Sequence, residues 1–245
     1  MTIVNRHYHF SRSMQVYFME RKLILSILAV ALVALAAAIL LPGGRTVDKN
    51  PKLPWKITVD EAGSLTVFDL TLGRSTLKNA QDIFQEQGTA NLFLSPEQEY
   101  STEVYFQRLY LSGIRADIVL DLEISEEKAS EIFDRGLRIS RLGSGVKKIE
   151  LSADDLTDLG QEPIKHIIYG PATDLDEALI SRRFGEPYRR IAESGTEITH
   201  WLYPDKGLDI AVNADGKEIF QYVNPGDFEQ IMAPLRKAME SRGAK

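Results

Sequence analysis

The feature that most constrains this chain is an uninterrupted apolar run near its N-terminus. The run "LILSILAVALVALAAAILL" covers 19 residues from Leu23 to Leu41, carries no charge and has Ser26 as its one polar side chain. As a helix rising about 1.5 Å per residue, it would span roughly 28 Å, which is close to the hydrocarbon thickness of a bilayer. We therefore predict a transmembrane helix over residues 23–41.

The residues on either side of this run predict its orientation. Arg21 and Lys22 lie directly before it, and Pro42-Gly43-Gly44 follows it. Because basic residues favour the cytoplasmic side, we expect residues 1–22 in the cytoplasm and the C-terminal body on the exported side. A cleaved signal peptide is the alternative, since "ALAAA" at 34–38 offers small residues to a peptidase. Signal peptides have apolar cores of about 7–15 residues, so the length favours an uncleaved anchor.

Composition and charge exclude several classes of protein. The chain has no cysteine, which excludes disulfides, thiolate metal sites and a cysteine nucleophile. Residues 1–44 hold four basic and one acidic side chains, a net charge of +3, so the remaining 201 residues, with 25 basic and 34 acidic side chains, carry −9. An acidic body is poorly suited to phosphate backbones, and we expect no nucleic-acid partner.

After a charged, proline-containing linker at 42–56, helix-like and strand-like patterns alternate along the chain. The strand predictions rest on period-two alternation of apolar residues, and the helix predictions on capping residues and on periodicity near 3.6. In the first part of the body these elements are a helix at 75–88 with a Ser/Thr cap, strands at 90–94, 102–111 and 114–124, and a helix at 125–136 capped by Ser125.

The second part of the body repeats this plan. Its elements are strands at 145–152 and 165–171, a helix at 175–185 capped by Thr173 or Asp174, and strands at 188–194, 197–204, 207–213 and 217–223. We predict an α+β fold in which the transmembrane helix precedes two tandem helix-plus-antiparallel-sheet units, at 57–138 and 139–228. A C-terminal helix or tail, interrupted by Pro234, completes the chain at 229–245.

One segment of the second unit carries a recognisable pattern. It contains Phe184-Gly185-Glu186-Pro187 at a helix end, Trp201-Leu202-Tyr203 in a strand, the alternating strand Leu208–Val212, a turn at Gly216 and Ile219 in a last strand. This pattern resembles the SmpA/OmlA domain, the small BamE-like lipoprotein domain of the outer-membrane β-barrel assembly machinery. Two such units in tandem resemble the architecture of β-lactamase-inhibitor-type proteins.

This resemblance implies a non-enzymatic protein that needs no cofactor and acts by protein–protein contact. The chain departs from the family in lacking a lipid-bearing cysteine and in having the transmembrane segment instead. We therefore expect a single-pass protein of the inner membrane with its body in the periplasm. Its expected partners are membrane or periplasmic proteins of the envelope.

Four arginines form the notable basic cluster of the acidic body: Arg182, Arg183, Arg189 and Arg190. They could bind lipid headgroups, an acidic partner or an anionic glycan. The simpler interpretation is a solvated helix end, because basic side chains suit the negative C-terminal end of the 175–185 helix. A glycan- or lipid-binding module therefore stays as an alternative function.

Three tyrosines are further candidates for partner contact. Tyr105, Tyr110 and Tyr203 lie in predicted strands, where aromatic side chains mark either the core or an interface. Strand alternation places Trp201 and Tyr203 on the same face, and we expect Trp201 in the core.

No catalytic or metal site follows from the sequence. His166 and His200 could be combined with Asp205 or Asp209, but they lack the His-x-His or His-x-x-x-His spacing of metal ligands. An envelope hydrolase using Glu and Asp is a further alternative. Against it, the sequence offers no carboxylate pair that can be placed close together.

Overall fold

The computed structural model describes residues 50–193, 195–213 and 216–243, together with Val30, Ala31 and Leu35. Residues 1–49 and 50–245 are separate units. In the first unit the three described residues are helical, and most of the predicted transmembrane segment at 23–41 lies outside the described residues. Within the described parts of the chain, no helix combines the length and apolarity needed to cross a membrane.

The second unit contains two antiparallel sheets. The small sheet has the order β1-β2-β3, and the large one has ten strands in the order β10-β11-β12-β13-β9-β6-β5-β4-β8-β7. The strands are β1 (Thr58–Val59), β2 (Leu65–Val67), β3 (Leu70–Thr71), β4 (Thr89–Leu94), β5 (Tyr100–Leu111), β6 (Ile114–Leu122), β7 (Arg138–Arg141), β8 (Lys147–Glu150), β9 (Ile164–Pro171), β10 (Arg189–Ala192), β11 (Ile198–Tyr203), β12 (Leu208–Asn213) and β13 (Glu218–Tyr222).

The helices of this unit are short except for the last. They are α1 (Leu77–Phe84), α2 (Glu126–Arg135), α3 (Ala153–Asp158), α4 (Glu177–Phe184) and α5 (Glu229–Gly243). The predicted α+β class is confirmed, and ten of its antiparallel strands form one large sheet. The helix expected to break at Pro234 instead runs through it, since α5 contains that proline.

Side-chain caps begin most of these helices. Thr76 accepts a hydrogen bond from the Asn79 N–H at the start of α1, and Ser125 accepts one from Lys128 at the start of α2. The cap of α4 differs from the prediction of Thr173 or Asp174. Asp176 is the cap there, because its carboxylate lies 2.6 Å from the Leu179 nitrogen and accepts the hydrogen bond of that exposed N–H.

The pairing of β6 with β9 makes one sheet out of both parts of the chain. Leu120 lies opposite Ile167 and Ile118 opposite Tyr169, and β9 then pairs with β13 through Tyr169 and Phe220. Residues from 57–138 and from 139–228 therefore share one sheet and one hydrophobic core.

The two faces of the large sheet have different environments. Helices α1, α2 and α4 and the small sheet pack on one face, which we call the covered face. The residues of its core include Leu77, Ala129, Phe184, Leu65, Phe106, Ile118, Ile167, Tyr169, Ile210, Phe220 and Tyr222.

The opposite face, which we call the open face, bears the alternate residues of the same strands, including Glu103, Tyr105 and Ile168. One end of it is covered by α5, whose apolar side chains join a second, smaller cluster. The residues of this cluster are Ile191, Leu202, Val223, Phe228, Ile231 and Leu235. Among the described residues, the central strands of the open face carry exposed large side chains, namely Tyr105, Tyr110 and Ile219.

Gly207 offers a test of this packing. Its φ is +57°, and an added Cβ would lie 1.9 Å from the Val223 carbonyl oxygen. We expect Gly207→Ala to lower the free energy of unfolding by about 3 kcal/mol, because left-handed strain and a backbone clash add together. Gly63→Ala is the matched control, since Gly63 has φ +81° but open space around its Cβ position. It isolates the backbone strain and should cost only about 1 kcal/mol. Urea unfolding of the full-length protein measures both, and equal losses would contradict the close packing at Gly207.

Candidate functional site

A row of side chains crosses the middle of the open face. Strand pairing places Tyr105 of β5 opposite Val119 of β6, and Val119 opposite Ile168 of β9. Ile168 lies opposite Gln221 of β13, which in turn lies opposite Asp209 of β12. Directly opposite residues on one sheet face are neighbours, so this row runs without a break from the exposed Tyr105 to the fully buried Asp209.

Beside this row the open face contains a cavity of about 470 Å³. Such a volume lies within the range of small-ligand and side-chain pockets. Its lining comes from β5, β6, β9, β13 and the segments that join β9 to α4 and β12 to β13, and includes Tyr105, Asp117, Val119, Ile168, Gly170, Asp174, Lys217, Glu218 and Ile219.

One position in the wall of the cavity has no side chain. Gly170 lies opposite Asp117 on the open face, and a Cβ there would lie 3.3 Å from the Ile219 Cδ1 atom. A larger residue at 170 would therefore occupy the space between β6 and β13. Tyr105, which is 41% exposed, forms part of the wall.

Carboxyl groups line one end of the cavity. Glu218 is 3% exposed, and its Oε2 atom accepts a hydrogen bond of 3.0 Å from the Leu175 N–H. Burial raises the pKa of Glu218, and the neighbouring Asp174 carboxyl raises it further. A Cβ added to Gly216 would lie 2.5 Å from an Asp174 carboxylate oxygen, so this acidic side chain is held close to the turn before β13.

A β-bulge in β5 determines which tyrosines reach the open face. The register with β6 shifts between Phe106 and Leu109, where the β5 chain has one residue more than its partner. Arg108 in the bulge has φ +54°, and its N–H donates a hydrogen bond of 2.7 Å to Asp117. As a result Tyr105 and Tyr110 lie on the same face, although five positions separate them. Tyr110 is 73% exposed there.

Tyr203, the third tyrosine selected from the sequence, lies in the core. Tyr203 is 4% exposed on the covered face, and its hydroxyl donates a hydrogen bond of 3.0 Å to the Gly185 carbonyl oxygen. Its ring packs beside Phe184. Burial raises the pKa of Tyr203 to about 12. Tyr203 is therefore a core residue and offers no surface to a partner, which corrects its selection as a contact residue. Trp201 is buried as expected.

The predicted arginine cluster is divided between packing and solvent. Arg183 lies over the Trp55 ring at 4.6 Å, and Arg190 lies over the Trp201 ring at 4.0 Å. Arg182 and Arg183 occupy the last turn of α4, as expected for cations at a helix C-terminus. All four arginines are exposed. Five strands separate β10, which carries Arg189 and Arg190, from β5 with its tyrosines, so the structure does not bring the arginines and the exposed tyrosines into one site.

A second polar group on the open face was not predicted. Glu103 of β5 and Asp121 of β6 are direct cross-strand neighbours, and His166 of β9 lies opposite Asp121. Burial raises the pKa of both carboxyl groups, and the nearby cations Lys148 and Lys165 act in the opposite direction. The sequence alone did not allow such a carboxylate pair to be placed, and the structure contains one. Sequence spacing could not reveal the pair, because strand register creates it.

The two histidines of the described residues do not form a joint site. His200 Nδ1 lies 2.7 Å from Asp209 Oδ2, and Gln221 donates a hydrogen bond of 3.0 Å to the same oxygen. His166 lies on β9, which β13 and β12 separate from β11 and its His200. Across the described ranges, no group of three or more His, Asp or Glu side chains could hold a metal ion.

Comparison with known proteins yields no relative. No protein-family model, curated protein or solved structure matches the chain.

The two histidines should titrate in opposite directions. Burial and the Lys165 charge lower the pKa of His166 to about 4. Burial also acts to lower the pKa of His200, but the hydrogen bond and charge of Asp209 outweigh it, so the net direction is upward. NMR titration of the imidazole protons, assigned with His166→Gln and His200→Gln variants, should show midpoints below and above the ordinary value of about 6.5.

The same directions predict opposite effects on stability. The depressed pKa of His166 stabilises the fold above pH about 6.5, and this contribution is lost as the pH falls toward 4. The raised pKa of His200 stabilises the fold below pH about 6.5, and this contribution is lost as the pH rises through the folded-state pKa. Urea midpoints of the two variants relative to wild type should therefore diverge with pH, and parallel profiles would contradict these environments.

Proposed function

We propose that this protein is a membrane-anchored, non-enzymatic binding protein of the cell envelope that holds a partner protein against the open face of its large sheet. The observation that carries the proposal is the pair of exposed tyrosines, Tyr105 and Tyr110, which lie on one strand of the face that also contains the cavity. Exposed aromatic residues beside a concave surface are typical of protein–protein interfaces.

The dimensions of the sheet support this proposal. The strands β5, β6, β9, β13 and β12 are consecutive neighbours. With strands about 4.8 Å apart, they present a surface roughly 19 Å wide. Helices cover the other face and enclose the main hydrophobic core there, so a partner can bind the open face without displacing any of these core residues.

The tandem and family assignments belong to the same proposal. In each part of the body a helix is followed by an antiparallel meander, α1 by β4-β5-β6 and α4 by β10-β11-β12-β13. Each meander directs its last strand toward β9 at the centre of the sheet. This arrangement supports two divergent copies of a BamE-like unit at 57–138 and 139–228. Residues 23–41 are the proposed inner-membrane anchor, with the body in the periplasm.

Two alternatives receive less support. A glycan- or lipid-headgroup-binding module would use the four arginines, but Arg183 and Arg190 are already engaged with tryptophan rings. An envelope hydrolase could use Glu103 and Asp121. Asp121 forms an ion pair of 3.2 Å with Lys165, and neither acid lines the cavity.

Site-specific photo-crosslinking in cells tests the proposed docking face. With p-benzoylphenylalanine in place of Tyr105 or Tyr110 in the full-length chain, we expect both positions to crosslink to the same envelope protein. Both side chains project from the open face, so a docked partner would contact both.

The control position is Tyr188, which is 82% exposed but lies before β10, outside the central strands. It should give none of that adduct. Crosslinks from Tyr188 alone would place the interface elsewhere on the protein. The absence of crosslinks from all three positions would contradict a partner on the open face.

A further inference from the structure

We propose that the cavity beside Tyr105 is a binding site for an arginine side chain that the partner protein presents to the open face. This inference rests on the proposed function, because it names the group by which the partner is recognised. The shape of the cavity, the charges around it and the aromatic ring in its wall all suit such a side chain.

The shape suits a long side chain with an apolar stem. Val119, Ile168 and Ile219 line the cavity with aliphatic groups, against which methylene groups can pack. Gly170 adds no side chain to the wall, and the Ile219 Cδ1 atom lies over it. A volume of about 470 Å³ admits one extended side chain with accompanying water.

The charges favour a cation. Asp117 and Asp174 bring carboxylates to the lining, Glu218 lies there with its carboxyl buried against the Leu175 N–H, and Lys217 is the one basic side chain of the lining. Asp117 uses its Oδ1 atom to accept the Arg108 N–H, and its Oδ2 atom has no hydrogen bond or ion pair within the described residues. The body outside residues 1–44 carries a net charge of −9, from 25 basic and 34 acidic side chains, which adds to the attraction for a basic partner.

The ring in the wall favours arginine among the cations. Tyr105 lines the cavity with 41% of its surface exposed. A planar guanidinium group can stack on such a ring and donate hydrogen bonds to a carboxylate in the same plane, whereas an ammonium group acts as a strongly hydrated point charge.

NMR titration tests the site with a defined probe. The full-length protein, in detergent micelles and labelled at isoleucine δ1-methyls, is titrated with N-acetylarginine N-methylamide and with the corresponding citrulline compound. Citrulline has nearly the same shape without the charge. We expect saturable shifts at Ile168 and Ile219 with a dissociation constant on the order of 1 mM for arginine. Citrulline should bind about tenfold more weakly.

Variants separate charge from shape. Asp117→Asn keeps an acceptor for the Arg108 N–H but removes the charge, and should weaken arginine binding about tenfold. Lys217→Gln should strengthen it, because the competing cation is gone. Gly170→Val should abolish the shifts by filling the cavity. Gly143→Val is its control, since a Cβ at Gly143 meets no atom within 4 Å, and it should leave binding unchanged.

Two results would overturn the inference. One is the absence of saturable shifts at arginine concentrations about tenfold above the expected dissociation constant. The other is equal binding of the arginine and citrulline compounds. Either result overturns the arginine site even where Tyr105 and Tyr110 crosslink to a partner, so its failure is distinguishable from failure of the proposed docking face.

Discussion

The antiparallel pairing of β6 with β9 is the contact on which the rest of this architecture depends. It joins strands from the two parts of the body, with Ile118 opposite Tyr169 and Leu120 opposite Ile167. Without it, β6 and β9 would each lose a neighbour and expose a row of unpaired backbone groups. With it, the sheet continues over ten strands, and one core extends across residues from both parts. The cavity lies over this same central region, since β6 and β9 supply Val119 and Ile168 to its wall.

The β5 bulge has the most direct effect on the candidate site. In a regular strand, residues five positions apart point to opposite faces, and Tyr110 would then point into the core if Tyr105 faced solvent. The extra residue between Phe106 and Leu109 reverses the alternation, so both tyrosines reach the open face. The Asp117 carboxylate holds the bulge by accepting the Arg108 N–H, and it also lines the cavity. One acidic side chain thus contributes to both the backbone irregularity and the charge of the site.

Local sequence signals predicted most elements of the fold. The strands β4, β5 and β6 follow from alternation, and α2 follows from its Ser125 cap. The two-residue strands β1 and β3 were missed, because segments this short show no period. The cap of α4 was placed wrongly because Thr173, Asp174 and Asp176 are all capping residue types within four positions, and the sequence does not distinguish among them.

The candidate site was less predictable than the fold. Tyr105 and Tyr110 were chosen as aromatic strand residues, yet Tyr203, chosen for the same reason, lies in the core. The Glu103–Asp121 pair depends on the bulge in β5, which shifts the register of the β5–β6 hairpin by one residue. The cavity at Gly170 depends on the pairing of β6 with β9, which are distant in sequence, so no local pattern reports it.

Hydroxyl-radical footprinting of the full-length protein would test the central claim most directly, by comparing the detergent-solubilised chain alone with the chain in its native membranes. The account predicts that Tyr105, Tyr110 and Ile219 react in detergent and become protected in the membranes, while Tyr188 reacts equally in both. Unchanged reactivity of the three open-face residues, with protection at Tyr188 instead, would contradict it.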